Sequence, residues 1–149
     1  MPSLYDRDIL RLAADIPHLG RLPAPQGSAE RRSVVCGSRI VVDVVLDDAG
    51  RIAELGQEVR ACALGQASAA IMSGHAVGRS GDELARARDA LAGFFDGQRE
   101  GPGDWPEIGL VARARDYPAR HPSIMLAFEA VTEAVAIASG ERRRRGCQP

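Results

Sequence analysis

The run Val35-Cys36-Gly37-Ser38-Arg39-Ile40-Val41-Val42-Asp43-Val44-Val45-Leu46-Asp47-Asp48-Ala49-Gly50-Arg51-Ile52, followed through to Ala61-Cys62-Ala63, decides the fold. Residues 40–46 are dense in valine, as a strand buried on both faces would be. Asp47-Asp48-Ala49-Gly50 then supplies turn chemistry, and residues 52–61 make a second extended run. The pattern predicts a β-hairpin. Cys36 stands just before its first strand and Cys62 just after its second, each 13 residues from Ala49. An antiparallel hairpin sets two such ends side by side. A bulge would offset them by only a few ångströms, so both thiols are expected at one end of the sheet, within reach of one metal ion or one sulfur atom.

Cys62 also precedes a predicted helix, a position that makes a cysteine chemically reactive, and Gly37 permits the tight turn that a loop cysteine needs to point into a shared site. Arg39 adds a nearby positive charge. Against this stands the plainer reading that a cysteine is often a small buried hydrophobe. Spacing alone leaves both open.

Working outward, residues 63–77 carry Leu64, Ala67, Ile71 and Met72 on one face and end at Gly78, which predicts a helix. Ser80 with Glu83 three residues on is a capping-box pattern, and Leu84, Ala87, Leu91 and Phe94 or Phe95 continue a buried stripe, so a second helix is expected over 80–95. Ile108, Leu110 and Val111 suggest a short helix before Tyr117 and Pro118. Residues 123–138 repeat apolar side chains at Leu126, Ala127, Ala130, Val131, Ala134 and Val135, a strong helical face. On the N-terminal side, Ile9, Leu12, Ala13 and Ile16 predict an amphipathic helix over 5–16. Residues 20–33, with Pro23, Pro25 and Gly27 and no apolar period, read as a connecting loop. Arg142 to Arg145 break the apolar pattern of residues 123–138. Residues 1–139 are thus expected to form one domain and 140–149 a solvated, disordered basic tail, with contact to an acidic partner or nucleic acid as the lesser reading.

At 149 residues and 45% apolar content the chain is large enough to bury a core without disulfides. Its 19 Lys and Arg against 20 Asp and Glu leave a net charge of −1, so no overall field draws it to nucleic acid or an anionic membrane. Charges within the first ten residues occupy the place of a signal-peptide apolar run, and no stretch reads as a membrane span, so a cytoplasmic protein is expected. An odd set of cysteines, Cys36, Cys62 and Cys147, argues against a disulfide framework in such a compartment.

The segment from Val35 to Ile40, the Asp47 to Gly50 turn, and Cys62-Ala63-Leu64-Gly65-Gln66-Ala67-Ser68-Ala69-Ala70-Ile71-Met72 resemble the IscU/SufU (NifU N-terminal-like) family, most nearly its SufU branch. The similarity continues through Gly78, Ser80 and Phe94 to Tyr117-Pro118-Ala119-Arg120 and the final helix. The resemblance implies an α+β fold, a three-stranded antiparallel sheet backed by helices. It also implies a protein that assembles a nascent iron–sulfur cluster or, as in SufU, binds zinc and accepts sulfur from a cysteine desulfurase. Cys36 matches the first ligand of that family and Cys62 the second. Ser38 stands where the family has an aspartate, and Ser123 where it has the third cysteine. A thiolate is a strong ligand for iron and zinc, whereas a neutral hydroxyl is a poor one.

His121, two residues before Ser123, is a candidate nitrogen ligand. It is one residue out of register with the histidine of IscU members, whose place Pro122 takes, and its alternative role is an exposed loop histidine. Cys147 reads as a spare thiol. His75, near the end of its helix, suits the negative end of the dipole, and His18 has no partner pattern.

Three functions follow. The leading one is a scaffold or sulfur acceptor holding iron, a cluster or zinc through Cys36 and Cys62, with Ser38, Ser123 and His121 as further candidates. A cysteine desulfurase and other cluster-assembly proteins would be its partners, without nucleic acid or membrane. The second is a diverged, metal-free member acting as a protein-binding module. An enzymatic reading with Cys62 as nucleophile ranks last, because no histidine lies near it in sequence and no Ser/His/Asp, Walker or dinucleotide motif is present.

Overall fold

The computed structural model of the chain describes residues 6–34 and 37–146, with 141–146 described by their backbone alone. Cys36 and Cys147 lie outside the described residues. The predicted hairpin is present as strands β2 (Arg39–Leu46) and β3 (Ile52–Arg60), paired from Arg39↔Arg60 to Leu46↔Ile52 with an irregularity between Val45 and Leu46. That irregularity moves the register by one residue, the kind of offset a bulge introduces.

The expectation of a loop over 20–33 is corrected in part. Strand β1 (Gly27–Arg32) lies antiparallel to β2, and the sheet order is β1-β2-β3. Its sequence, Gly-Ser-Ala-Glu-Arg-Arg, contains no β-branched or aromatic residue, so local propensity does not announce it. It becomes a strand because β2 presents a second edge, on which Gly27 pairs with Val44 and Arg32 with Arg39. The three strands and the flanking helices make the α+β architecture that the resemblance implied.

Being central, β2 is covered on both faces. Ile40, Val42, Val44 and Leu46 face the helix core, and Asp43, on the opposite face, is fully buried as well. Its carboxylate accepts from Arg21 Nε at 2.6 Å, Arg21 Nη2 at 3.1 Å and the Leu22 N–H at 3.0 Å, and from the Ser28 hydroxyl. Burial pushes the Asp43 carboxyl up, but Arg21 and the other donors outweigh it and hold the group below its ordinary value. The strap carrying Arg21 is fastened to β3 by Gln57 N–H donating to His18 O at 3.0 Å and Gly20 N–H donating to Gln57 O at 2.8 Å. Gly56 makes room for it, since a Cβ there would lie 2.5 Å from Gly20 O.

Helix α1 (Arg7–Ala14) is capped by Asp6, whose side chain accepts from Ile9 N–H, and packs against α2 (Ala63–Ala76). Helix α3 (Gly81–Phe95) starts with the expected Ser80–Glu83 capping box. Hydrogen bonds from Arg51 and Arg79 hold the Glu83 carboxyl down at about 2. A short α4 (Gly109–Ala112) and two 3-10 turns, Arg113–Asp116 and Pro118–Arg120, lead into α5 (His121–Gly146).

Helix α5 lies across β1 and β2 and against α2 and α3. At Gly27 a Cβ would meet Ala134 O at 2.1 Å, so the helix seats directly on bare backbone. The backbone of α5 continues through Arg142 to Arg145, consistent with arginine being a good helix former. One expectation is revised here. By length and composition the stretch Pro118–Gly140 is apolar enough to cross a membrane, but 67% of its most apolar window is buried inside the fold, as befits a core helix.

Candidate functional site

Cys62 is the N-cap of α2, two residues beyond the end of β3, and its extended backbone (φ −66, ψ 171) turns the chain from strand into helix. Ser38 immediately precedes β2, at the same end of the hairpin because Arg39 pairs with Arg60. The loop before it is tight. Ser33 N–H donates to Ser38 O and Gly37 N–H to Ser33 O, both at 2.9 Å, and Gly37 has φ +71, a conformation that glycine adopts without strain. Ser123 comes from the first turn of α5, far along the chain.

These three side chains meet. Ser123 Oγ lies 3.2 Å from Ser38 Oγ and 3.3 Å from Cys62 Sγ. Ser38 and Ser123 are buried, at 3% and 2% exposure, while Cys62 is half-buried and remains approachable. The approach of α5 depends on Gly65 in the first turn of α2, where a Cβ would stand 2.5 Å from Ser123 Oγ and 2.7 Å from Ala61 Cβ. One turn further on, Ser68 Oγ donates to Ile124 O at 2.6 Å and ties the two helices together. A single serine hydroxyl has one proton to donate and lone pairs to accept with, so Ser123 can join the thiol and the second hydroxyl into one network.

His121 is engaged elsewhere. Its Nε2 lies 2.8 Å from Ala114 O and 3.0 Å from Arg115 O, and its ring stacks on Phe95 with centroids 4.0 Å apart. Two carbonyl acceptors require Nε2 to carry the proton, which leaves Nδ1 as the other ring nitrogen. His75 Nε2 pairs with Glu107 Oε1 at 3.1 Å, and the His18 carbonyl serves β3. Among the described residues no group of three or more His, Cys, Asp and Glu side chains is placed to hold a metal ion.

Sequence reasoning missed Gly65 as the residue that lets Ser123 in, and missed the Arg21–Asp43 lock. A lone carboxylate in a valine-rich strand was the available signal for the lock, since a buried charge demands a partner.

No family model matches the chain. It is 24% identical over 132 residues to the iron–sulfur cluster assembly scaffold protein IscU of Thermotoga maritima, covering 89% of this chain and 92% of that one. The crystal structure of the N-terminal part of a nitrogen-fixing NifU-like protein from Brucella abortus superimposes with a TM-score of 0.83 at 34% identity, over 92% of this chain and 95% of that one. A putative SufU scaffold structure from Fervidobacterium islandicum shares the fold, with a TM-score of 0.81 at 18% identity over 89% and 96% of the two chains.

Proposed function

The chain belongs to the IscU/SufU (NifU N-terminal-like) family, and from that premise we propose that it works in iron–sulfur cluster assembly as a scaffold or sulfur acceptor. In this reading Cys62 and Cys36 are the residues that meet iron, zinc or incoming sulfur. The observation that supports it is the convergence of Cys62, Ser38 and Ser123 from three separate elements on one partly open point, with Ser123 Oγ 3.3 Å from the thiol and 3.2 Å from Ser38 Oγ.

The donor set shapes the proposal. Two neutral hydroxyls are weak ligands for iron and zinc, so the thiols of Cys62 and Cys36 would carry the bonding while Ser123, itself held by Ser38, orients Cys62. His121 could contribute only through Nδ1, because Nε2 already serves two carbonyls. Such a site suits cargo that is held briefly and passed on. For sulfur, a cysteine thiolate attacks the outer sulfur of a donor protein's persulfide. The new S–S bond forms as the old one breaks, and the donor's thiolate leaves, so that no outside oxidant is needed. A cysteine desulfurase is the partner this chemistry calls for.

The test is the metal and acid-labile sulfide content of protein purified without oxygen, beside a Cys36→Ser, Cys62→Ser double variant. Near-stoichiometric iron and sulfide that vanish in the variant are expected of a scaffold, and zinc or cysteine-bound sulfur without sulfide is expected of a sulfur acceptor. A second reading, a metal-free protein-binding module, is favoured by one feature: Cys62, Ser38 and Ser123 already satisfy one another. Absence of metal, sulfide and bound sulfur, with a melting temperature indifferent to chelator, would establish that reading instead.

A further inference from the structure

The first turn of α5 that carries Ser123 also borders a cavity of about 370 Å3 between the end of α3, the end of β1 and α5 itself. Its apolar lining comes from Phe95, Met125 and Leu126, the last two at 8% and 5% exposure. Its polar side chains are Asp96, Glu129, Ser33, Arg32 and His121, the last of which turns its Nε2 to the carbonyls of Ala114 and Arg115. Asp96 is exposed, and among the described residues its carboxylate has no ion-pair or hydrogen-bond partner. Glu129 has only a loose contact, 3.9 Å, with Arg31. The Ser33 hydroxyl is buried and unpartnered among the described residues, and stands on the β1 side of the cavity. Arg32, the one arginine in the lining, is already paired with Glu30 at 3.4 Å. Asp96 is also the C-cap of α3.

An apolar wall with carboxylates at its mouth complements a side chain that is aliphatic along its stem and cationic at its tip. We infer that this cavity is a docking point for a partner protein, and that it takes an arginine side chain from a basic segment of that partner. The stem lies along Met125 and Leu126, the guanidinium meets Asp96 and Glu129, and the planar, forked donor set suits two carboxylates better than a lysine ammonium would. Seated there, the partner lies against the N-terminal half of α5, whose first turn carries Ser123. The inference stands on the cavity and its charges and does not need the thiol chemistry to be right.

The experiment is a titration of isotope-labelled full-length protein, followed by amide chemical shifts, with N-acetyl-arginine amide, N-acetyl-norleucine amide and N-acetyl-aspartate amide as probes. The arginine probe is expected to shift the amides of Phe95, Asp96 and Glu129 saturably, and to bind at least about ten-fold more tightly than norleucine. Asp96→Asn alone should reduce that preference, and Asp96→Asn with Glu129→Gln should abolish it while the rest of the spectrum stays unchanged. Equal binding of arginine and norleucine would reduce the cavity to a merely apolar pocket and overturn the inference. So would preference for aspartate, or no saturable shift with any probe.

Discussion

Ser123 Oγ lies 3.3 Å from Cys62 Sγ, although 61 residues separate the two in the chain. Gly65 is what allows the contact, since any side chain there would collide with Ser123. Gly65→Ala is therefore expected to cost about 1–3 kcal/mol through overpacking. Ser123→Ala should cost about 1 kcal/mol through the lost hydrogen bonds. The double variant should be more stable than the sum of the two costs predicts, because removing Ser123 Oγ relieves the nearest clash. Denaturant unfolding of the four proteins measures this coupling, and strict additivity would mean that Gly65 serves some other contact.

Ser123→Cys puts a thiol beside Cys62 in place of a weakly ligating hydroxyl. Zinc affinity, measured by competition with a chromophoric chelator, is expected to rise by at least about ten-fold, since thiolate is much the stronger donor. An unchanged affinity would show that Ser123 does not face the metal-accessible side of Cys62.

The Arg21–Asp43 lock predicts acid sensitivity of a definite sign. The folded-state pKa of Asp43 lies below its ordinary 3.8. The stability it contributes is therefore fully present above that value and is lost as pH falls through the lowered folded-state pKa. Asp43→Asn should destabilise the protein at neutral pH by about 2–3 kcal/mol, the scale of hydrogen bonds to a charged group. The gap from the unsubstituted protein should narrow below pH 3.8. Melting curves across that range check both statements.

Glu83 makes a parallel case at the start of α3. Arg51 and Arg79 lower its pKa from 4.5 to about 2, so its contribution is present above 4.5 and disappears towards pH 2. Glu83→Gln should flatten the decline of melting temperature between those values, and a decline as steep as before would show that other carboxylates govern it.

Gly27→Ala should be the most damaging of the glycine changes. The added carbon would meet backbone at Ala134 O and Ala138 N, 2.1 and 2.8 Å away, so α5 must lift from β1. A loss of about 3 kcal/mol or more, or failure to accumulate as folded protein, is expected, with circular dichroism and denaturant midpoint as the readout.

Much of this protein is written locally. The valine run with its Asp47–Gly50 turn encodes the β2–β3 hairpin, and Ser80 with Glu83 encodes the start of α3, because turn geometry, capping and periodicity involve residues only a few positions apart. The same locality predicts Cys36 and Cys62 at one end of the hairpin; the structure has Ser38 and Cys62 there, and Cys36 lies outside the described residues. The third strand was not legible in this way. Gly27–Arg32 has no strand propensity of its own and is recruited by the free edge of β2.

By itself, then, the sequence determined the hairpin, the helix faces and the family, since each rests on short-range chemistry or on a matched order of residues. Only the tertiary structure decided that Ser123 reaches Cys62 through the gap at Gly65, that Arg21 neutralises buried Asp43, and that His121 turns to the carbonyls of Ala114 and Arg115. Those outcomes depend on how surfaces far apart in the chain fit together, and close packing, not local propensity, sets that fit.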